Sequence, residues 1–233
     1  MQSQDSVLNI NNLKFGYSTS ELLFNDLTLD IKRGKVTTIL GANGCGKSTL
    51  FNLITKNLDK ISGEILLDGS DIDAISLKDF AKQVAIVHQK NTAPADITVK
   101  KLVSYGRIPY RSSLVGKSCD TQEDERCIAW ALDVTNTAKL QNRAVADLSG
   151  GQMQRVWIAM ALAQDTDVLF LDEPTTFLDV RYQLQVLRLV RRLNEEFNKT
   201  VVMVLHDINQ AMFYSDELIA LSDGQVAAHH YKT

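Results

Sequence analysis

The stretch that most constrains this chain is Gly41-Ala42-Asn43-Gly44-Cys45-Gly46-Lys47-Ser48-Thr49, three glycines followed by a lysine and two hydroxyls. Ahead of it, Val36-Thr37-Thr38-Ile39-Leu40 is β-rich and apolar, and behind it Leu50-Phe51-Asn52-Leu53-Ile54 has helical character. A strand, a glycine-rich loop and a helix in that order make a phosphate cradle. The glycines let the backbone turn so that successive N–H groups point at a di- or triphosphate, and the helix adds its positive N-terminal end. In such a cradle Lys47 reaches the β and γ phosphates and Ser48 holds Mg²⁺. The alternative is a glycine-rich turn opening an ordinary helix, a pattern too seldom met by chance to be preferred.

At 233 residues with 45% hydrophobic content, the chain has room for one α/β domain with inserts, or two small lobes, around a real core. Its net charge of −3, with acids and bases interspersed, offers no basic surface that would make nucleic acid the main partner. The longest apolar run, from Val156 to Ala163, is far shorter than the roughly 20 residues that span a bilayer. Met1-Gln2-Ser3-Gln4-Asp5 lacks a basic region followed by an apolar core, so a cytosolic chain is expected. Cys45, Cys119 and Cys127 form an odd, unpatterned set, which fits a reducing compartment and gives no metal-ligand spacing.

Val7-Leu8-Asn9-Ile10-Asn11-Asn12-Leu13, Leu27-Thr28-Leu29-Asp30-Ile31 and Gly63-Glu64-Ile65-Leu66-Leu67 alternate loosely and predict an antiparallel sheet. Val84-Ala85-Ile86-Val87, Val168-Leu169-Phe170-Leu171, Val201-Val202-Met203-Val204-Leu205 and Leu218-Ile219-Ala220-Leu221 are continuous apolar runs, as in a parallel sheet covered by helices. Val180, Leu184, Leu187, Val190 or Arg191, Leu193 and Phe197 recur at helical steps, with Arg188, Arg192 and Glu195 on the wet side. Residues from about 92 to 149 show few strand-like runs and predict a helical insert. The last predicted strand is followed only by the short run Ala227-Ala228-His229-His230-Tyr231-Lys232-Thr233.

Leu148-Ser149-Gly150-Gly151-Gln152 precedes a helical segment with Met153, Val156, Trp157, Met160 and Ala163 on overlapping apolar faces. Ser-Gly-Gly at a helix start is a second anion site, or, more simply, an N-cap serine with flexible glycines. Further on, the apolar strand 168–171 ends in Asp172 and Glu173, before Pro174. Carboxylates at the C-terminal end of a buried parallel strand stand where α/β folds place ligands. Asp172 suits a Mg²⁺ role through water, and Glu173 suits polarising the water that attacks a γ phosphate. A strand merely leaving for solvent is the competing reading.

With the cradle, Leu-Ser-Gly-Gly-Gln and the acidic strand in this order, the chain resembles the ATP-binding subunits of ABC transporters over almost its whole length. The five-residue signature is the most specific element. The resemblance implies a mixed-sheet α/β P-loop domain over residues 1–233, with an antiparallel β subdomain and an inserted α-helical subdomain. About 1–91 and 150–233 form the core, and about 92–149 the helical part ending at the signature. It further implies that Gln89 touches Mg²⁺ or the attacking water, that Asp179 lies in a loop crossing to the opposite subunit, and that His206 contacts the γ phosphate. Tyr17 matches the aromatic that stacks on adenine, with half-buried strand packing as its competitor. His88, His229 and His230 have no partner at catalytic spacing and are read as ordinary histidines.

The family's subunits meet head to tail, so each ATP lies between one cradle and the opposite Ser149 and Gly151. That implies a homodimer, on transmembrane permease subunits at the cytoplasmic face of the membrane, served indirectly by a substrate-binding protein. Gly106-Arg107-Ile108-Pro109, Gly44-Cys45-Gly46 and Thr176-Phe177-Leu178-Asp179 resemble the ATPases of importers for ferric siderophores, haem and vitamin B12. Physically, Gly106 and Pro109 shape a turn and Arg107 is read as a solvated or interfacial charge. Ala42 stands where many relatives have proline, and relatives usually continue for another helix or so beyond the last residues here. The rival class is a soluble ATPase of the same family acting on DNA or ribosomes, and a blander one is an inactive nucleotide-binding regulator.

Overall fold

A computed structural model describes residues 6–18, 21–111 and 121–232. Cys119 and the Met1 to Asp5 stretch lie outside the described residues. In chain order the elements begin with strands β1 (Ser6–Phe15), β2 (Phe24–Lys32) and β3 (Val36–Gly41), helix α1 (Lys47–Ile54), and strands β4 (Ser62–Leu67) and β5 (Ser70–Asp71). Helix α2 (Leu77–Phe80), strand β6 (Val84–Val87), and helices α3 (Val99–Ser104), α4 (Thr121–Val134) and α5 (Gly150–Ala163) follow. Strand β7 (Val168–Leu171), helix α6 (Val180–Phe197), strand β8 (Thr200–Val204), helix α7 (Ile208–Tyr214), and strands β9 (Glu217–Ser222) and β10 (Gln225–Tyr231) complete the chain. The chain divides into two compact units, Met1–Ser76 with Leu193–Thr233, and Leu77–Arg192.

In the first unit, β2-β1-β4-β5 form an antiparallel sheet, as the loose alternation predicts. Leu8 and Ile10 pair with Ile31 and Leu29, and the register then shifts before Leu13 pairs with Leu27. Asn12 sits at this bulge with φ 50°, and the extra residue returns Leu13 and Phe15 to the buried face. Without it, the period of two would turn both outward. The unit's other strands run in the order β10-β9-β3-β8, with β3 parallel to both β8 and β9. All of β8 is buried, which is why its sequence is apolar without alternation. Thr37 and Thr38 interrupt β3 but are fully buried and satisfied. Thr37 Oγ1 donates to Glu217 Oε2 at 2.5 Å, and the Thr38 and Ser215 hydroxyls lie 2.6 Å apart.

Two expectations change in this unit. The run 225–231 is strand β10, antiparallel to β9, although most of its side chains are exposed. Main-chain pairing rather than apolar burial holds it, so its composition carries no signal. His229 does have a partner: its Nε2 lies 2.6 Å from Oε1 of Glu217, a carboxylate with no exposed surface.

In the second unit, β6 and β7 pair in parallel, Val84 with Val168 through Val87 with Leu171. Helices α3, α4 and α5 bury Val99, Val103, Ala131, Val156, Ile158 and Ala159. On its part of α6 the buried stripe is Val186, Leu187, Leu189 and Val190, whereas Val180, counted with the stripe in sequence, is exposed. Arg107 also departs from expectation, being only 4% exposed. Its Nε donates to Asp124 at 2.7 Å, its guanidinium donates to the Ala163 carbonyl at 3.0 Å and stacks 4.0 Å over the Tyr110 ring. Gly106, beside it, packs so closely that a Cβ would collide with the Met160 carbonyl oxygen. The segment 105–110 is a 3₁₀ helix clamped onto α5, not a solvated turn. Arg126 holds the Glu123 carboxyl down to about 2 through a hydrogen bond, and Glu123 accepts from the Cys127 thiol at 3.6 Å. Burial pushes that thiol up, as suits a reduced packing cysteine. Among the described residues no helix is long and apolar enough to cross a membrane.

Candidate active site

The cradle of the first unit is built as the sequence predicts. β3 ends at Gly41, and α1 begins at Lys47 behind an N-cap, Gly46, at φ 108° with no side-chain cap. That φ suits glycine, and a Cβ there would stand 2.8 Å from the Phe24 ring. The N–H groups opening α1 therefore receive no side-chain acceptor, the arrangement that accepts an anion at a helix N-terminus. Asn43, Gly44 and Ser48 are exposed, whereas Cys45 and Thr49 are buried. Lys47 is 5% exposed and its Nζ donates to the carbonyls of Gly41 and Ala42 at 2.8 Å each, which fixes the ammonium within the loop.

Tyr17 lies just beyond β1 and is 73% exposed, so half-buried strand packing does not describe it. Its hydroxyl lies 2.9 Å from Thr49 Oγ1 and its ring meets Phe15 edge-on, which ties an exposed aromatic face to the cradle helix. His206 is exposed two residues beyond the end of β8, and the next residue, Asp207, caps α7 by accepting from the Gln210 N–H at 3.0 Å.

The second unit carries the carboxylates. The Asp172 N–H donates to the Val87 carbonyl at 2.9 Å, extending the β6–β7 ladder by one step and fixing where the chain turns. Glu173 follows at φ 48°, in the left-handed region, so the backbone is held in a conformation that a non-glycine residue adopts at a cost. Its Oε2 accepts from Gln89 Nε2 at 2.5 Å and from Thr176 Oγ1 at 3.0 Å. The structure thus brings Gln89, Asp172 and Glu173 together at the ends of β6 and β7. Thr176 is the member that the sequence reading missed. Its signal was available, since a turn through Glu173-Pro174-Thr175-Thr176 returns the chain within reach of the carboxylate, as the Thr176 N–H to Glu173 carbonyl bond of 3.1 Å shows.

Ser149 caps α5 in a full capping box. Its hydroxyl accepts from the Gln152 N–H at 3.4 Å, and its own N–H donates to Gln152 Oε1 at 3.0 Å. The N-cap reading is therefore correct for Ser149, and Gly150 and Gly151 form the first turn of the helix. A Cβ on Gly151 would collide with the Tyr182 ring, so glycine there is set by packing against α6. In the loop before α6, Phe177 stands at φ 64° and is 85% exposed, and the Asp179 carbonyl accepts from the Tyr182 and Gln183 N–H groups.

A family model described as "ABC transporter" matches residues 24–176, from the first residue of β2 past the acidic strand. The chain belongs to the ABC transporter family. It is 47% identical to the iron(3+)-hydroxamate import ATP-binding protein FhuC of Bacillus subtilis (strain 168) over 219 residues, spanning 94% of this chain and 80% of that protein. It is 45% identical to the petrobactin import ATP-binding protein FpuC of Bacillus anthracis, spanning 94% of this chain and 79% of that protein. Among solved structures it is similar to the dimeric form of MJ0796, a bacterial ABC transporter cassette. The two share 29% identity and a TM-score of 0.80, across 96% of this chain and 98% of that one. This chain is thus an ATPase cassette that binds ATP.

Proposed function

We propose that this cassette powers the uptake of a ferric siderophore through a membrane permease. The observation that carries this reading is its 47% identity to an iron(3+)-hydroxamate import subunit across nearly the whole chain, with a petrobactin import subunit close behind. The import names of these relatives favour transport over action on DNA or ribosomes. Haem and cobalamin remain the alternative cargoes, since the cassette itself does not select the chelate.

In this reading the N–H groups of the 41–49 loop and Lys47 hold the ATP phosphates, and the exposed Tyr17 ring receives adenine. Ser48 in the first unit, and Gln89 and Asp172 in the second, each carry a hard oxygen donor of the kind Mg²⁺ takes, a hydroxyl, an amide carbonyl and a carboxylate; such an ion would neutralise charge on the phosphates. Glu173, oriented by Gln89 and Thr176, accepts a proton from the attacking water, and His206 contacts the γ phosphate. A second copy, arranged head to tail, presents its Ser149, Gly151 and Asp179 to this nucleotide. The likeness to a dimeric cassette supports that assembly. A permease would hold the pair at the cytoplasmic face of the membrane, with a binding protein delivering cargo from the other side.

The test is reconstitution of the cassette with its permease in vesicles, with ATP hydrolysis measured as binding proteins loaded with different chelates are added. Stimulation by a ferric siderophore supports the reading. Sedimentation with ribosomes or DNA, with no membrane protein retained on purification, overturns it.

A further inference from the structure

The end of α4, the first turns of α5 and the face of α6 enclose a cavity of about 570 Å³, within the size range of small-molecule sites. Four arginines line it, Arg155 from α5 and Arg181, Arg188 and Arg192 from α6, together with Gln152 and Gln185. No carboxylate is among the described residues lining it. The α6 members recur at steps of four, three and four residues, so Arg181, Gln185, Arg188 and Arg192 form one stripe along the helix. On α5, Gln152 and Arg155 are one turn apart.

Arg181 and Arg188 are exposed, whereas Arg155 and Arg192 are half-buried. The buried Nε of Arg155 has no hydrogen-bond partner among the described residues. A buried N–H without an acceptor is costly, and guanidinium groups cannot relieve mutual repulsion by losing a proton. Arg192 donates to the Val134 carbonyl at 3.4 Å, which turns its guanidinium along the cavity wall. An anion with several oxygens that bridges guanidinium groups from both helices satisfies both conditions.

We propose that this cavity is a binding site for a small multivalent oxyanion, bearing phosphate or carboxylate groups, separate from the ATP loop. Gln152 links it to the signature segment, because the same side chain closes the capping box on Ser149 and lines the cavity. The proposal stands whether or not the transported cargo is a siderophore.

The test uses the full chain saturated with ADP in magnesium-free buffer, so that the nucleotide site is occupied, its binding is recorded first in the same sample, and neither probe is titrated as a Mg²⁺ chelator. Pyrophosphate and citrate are then titrated in separate calorimetric runs at matched ionic strength. Saturable binding of at least one, with a raised melting temperature, is the expected result. Pyrophosphate alone would mark a phosphate site, and citrate alone a carboxylate site. The double variant Arg181→Gln with Arg188→Gln, altering two exposed α6 residues, is expected to weaken this binding at least about tenfold while ADP binding stays unchanged. No saturable binding of either anion to the wild-type chain overturns the proposal, as does equal affinity in a folded double variant. The wild-type titration decides the matter by itself if the variant does not fold.

Discussion

Gln89 Nε2 donates to Glu173 Oε2 over 2.5 Å, joining residues 84 positions apart. The amide thereby orients a carboxylate on a backbone held at φ 48°, and the Thr176 hydroxyl donates to the same oxygen. Gln89→Ala is expected to lower the hydrolysis rate by about ten- to a hundredfold, since a general base contributes that much or more only when correctly aimed. ATP affinity should change little, and because Gln89 is exposed, folding stability should stay within about 0.5 kcal/mol. Single-turnover hydrolysis beside a binding titration separates the two effects.

Arg107 is a structural residue by its surroundings. Its pairing with Asp124 is almost fully out of solvent, with side-chain exposures of 5% and 15%. Arg107→Ala would leave that carboxylate facing a cavity and remove the bond to the Ala163 carbonyl, at a cost of about 3 kcal/mol in urea unfolding. Arg107→Lys keeps the charge but loses the planar fork and the stacking on Tyr110, and should fall between the two.

His88 gives a pH dependence of definite sign. Burial pushes its imidazole below the ordinary 6.5, so the unfolded chain takes up the proton first. Stability from this group is level above about 6.5, falls as the pH drops through that value, and levels off below the folded one. His88→Gln should therefore lose less stability than the wild type between pH 8 and pH 5, as read from the denaturant midpoint.

Most of the fold was legible because most strands carry one of two simple patterns. Loose alternation marked the antiparallel strands β1, β2 and β4, and unbroken apolar runs marked β6 to β9. Strand β10 was not legible, since its mostly exposed residues are held by main-chain bonds, which no side-chain pattern records. The role of Arg107 was hidden for a related reason. An arginine reads as solvated until Asp124, the Ala163 carbonyl and the Tyr110 ring are seen around it. The loop at 41–49 was legible because strand, glycine turn and helix are contiguous in sequence. The Gln89 to Glu173 bond depends on β6 and β7 lying side by side, and only the structure supplies that pairing.

The central claim is that Glu173 drives hydrolysis while the phosphate loop binds nucleotide, and that the working unit is a pair of cassettes. The most direct measurement is ATP turnover by Glu173→Gln, taken with the molar mass of the same sample in ATP and Mg²⁺. The account predicts a turnover reduced at least about a hundredfold, ATP retained, and a mass doubled relative to the nucleotide-free chain. Turnover at the wild-type rate would remove Glu173 from the mechanism and contradict the account.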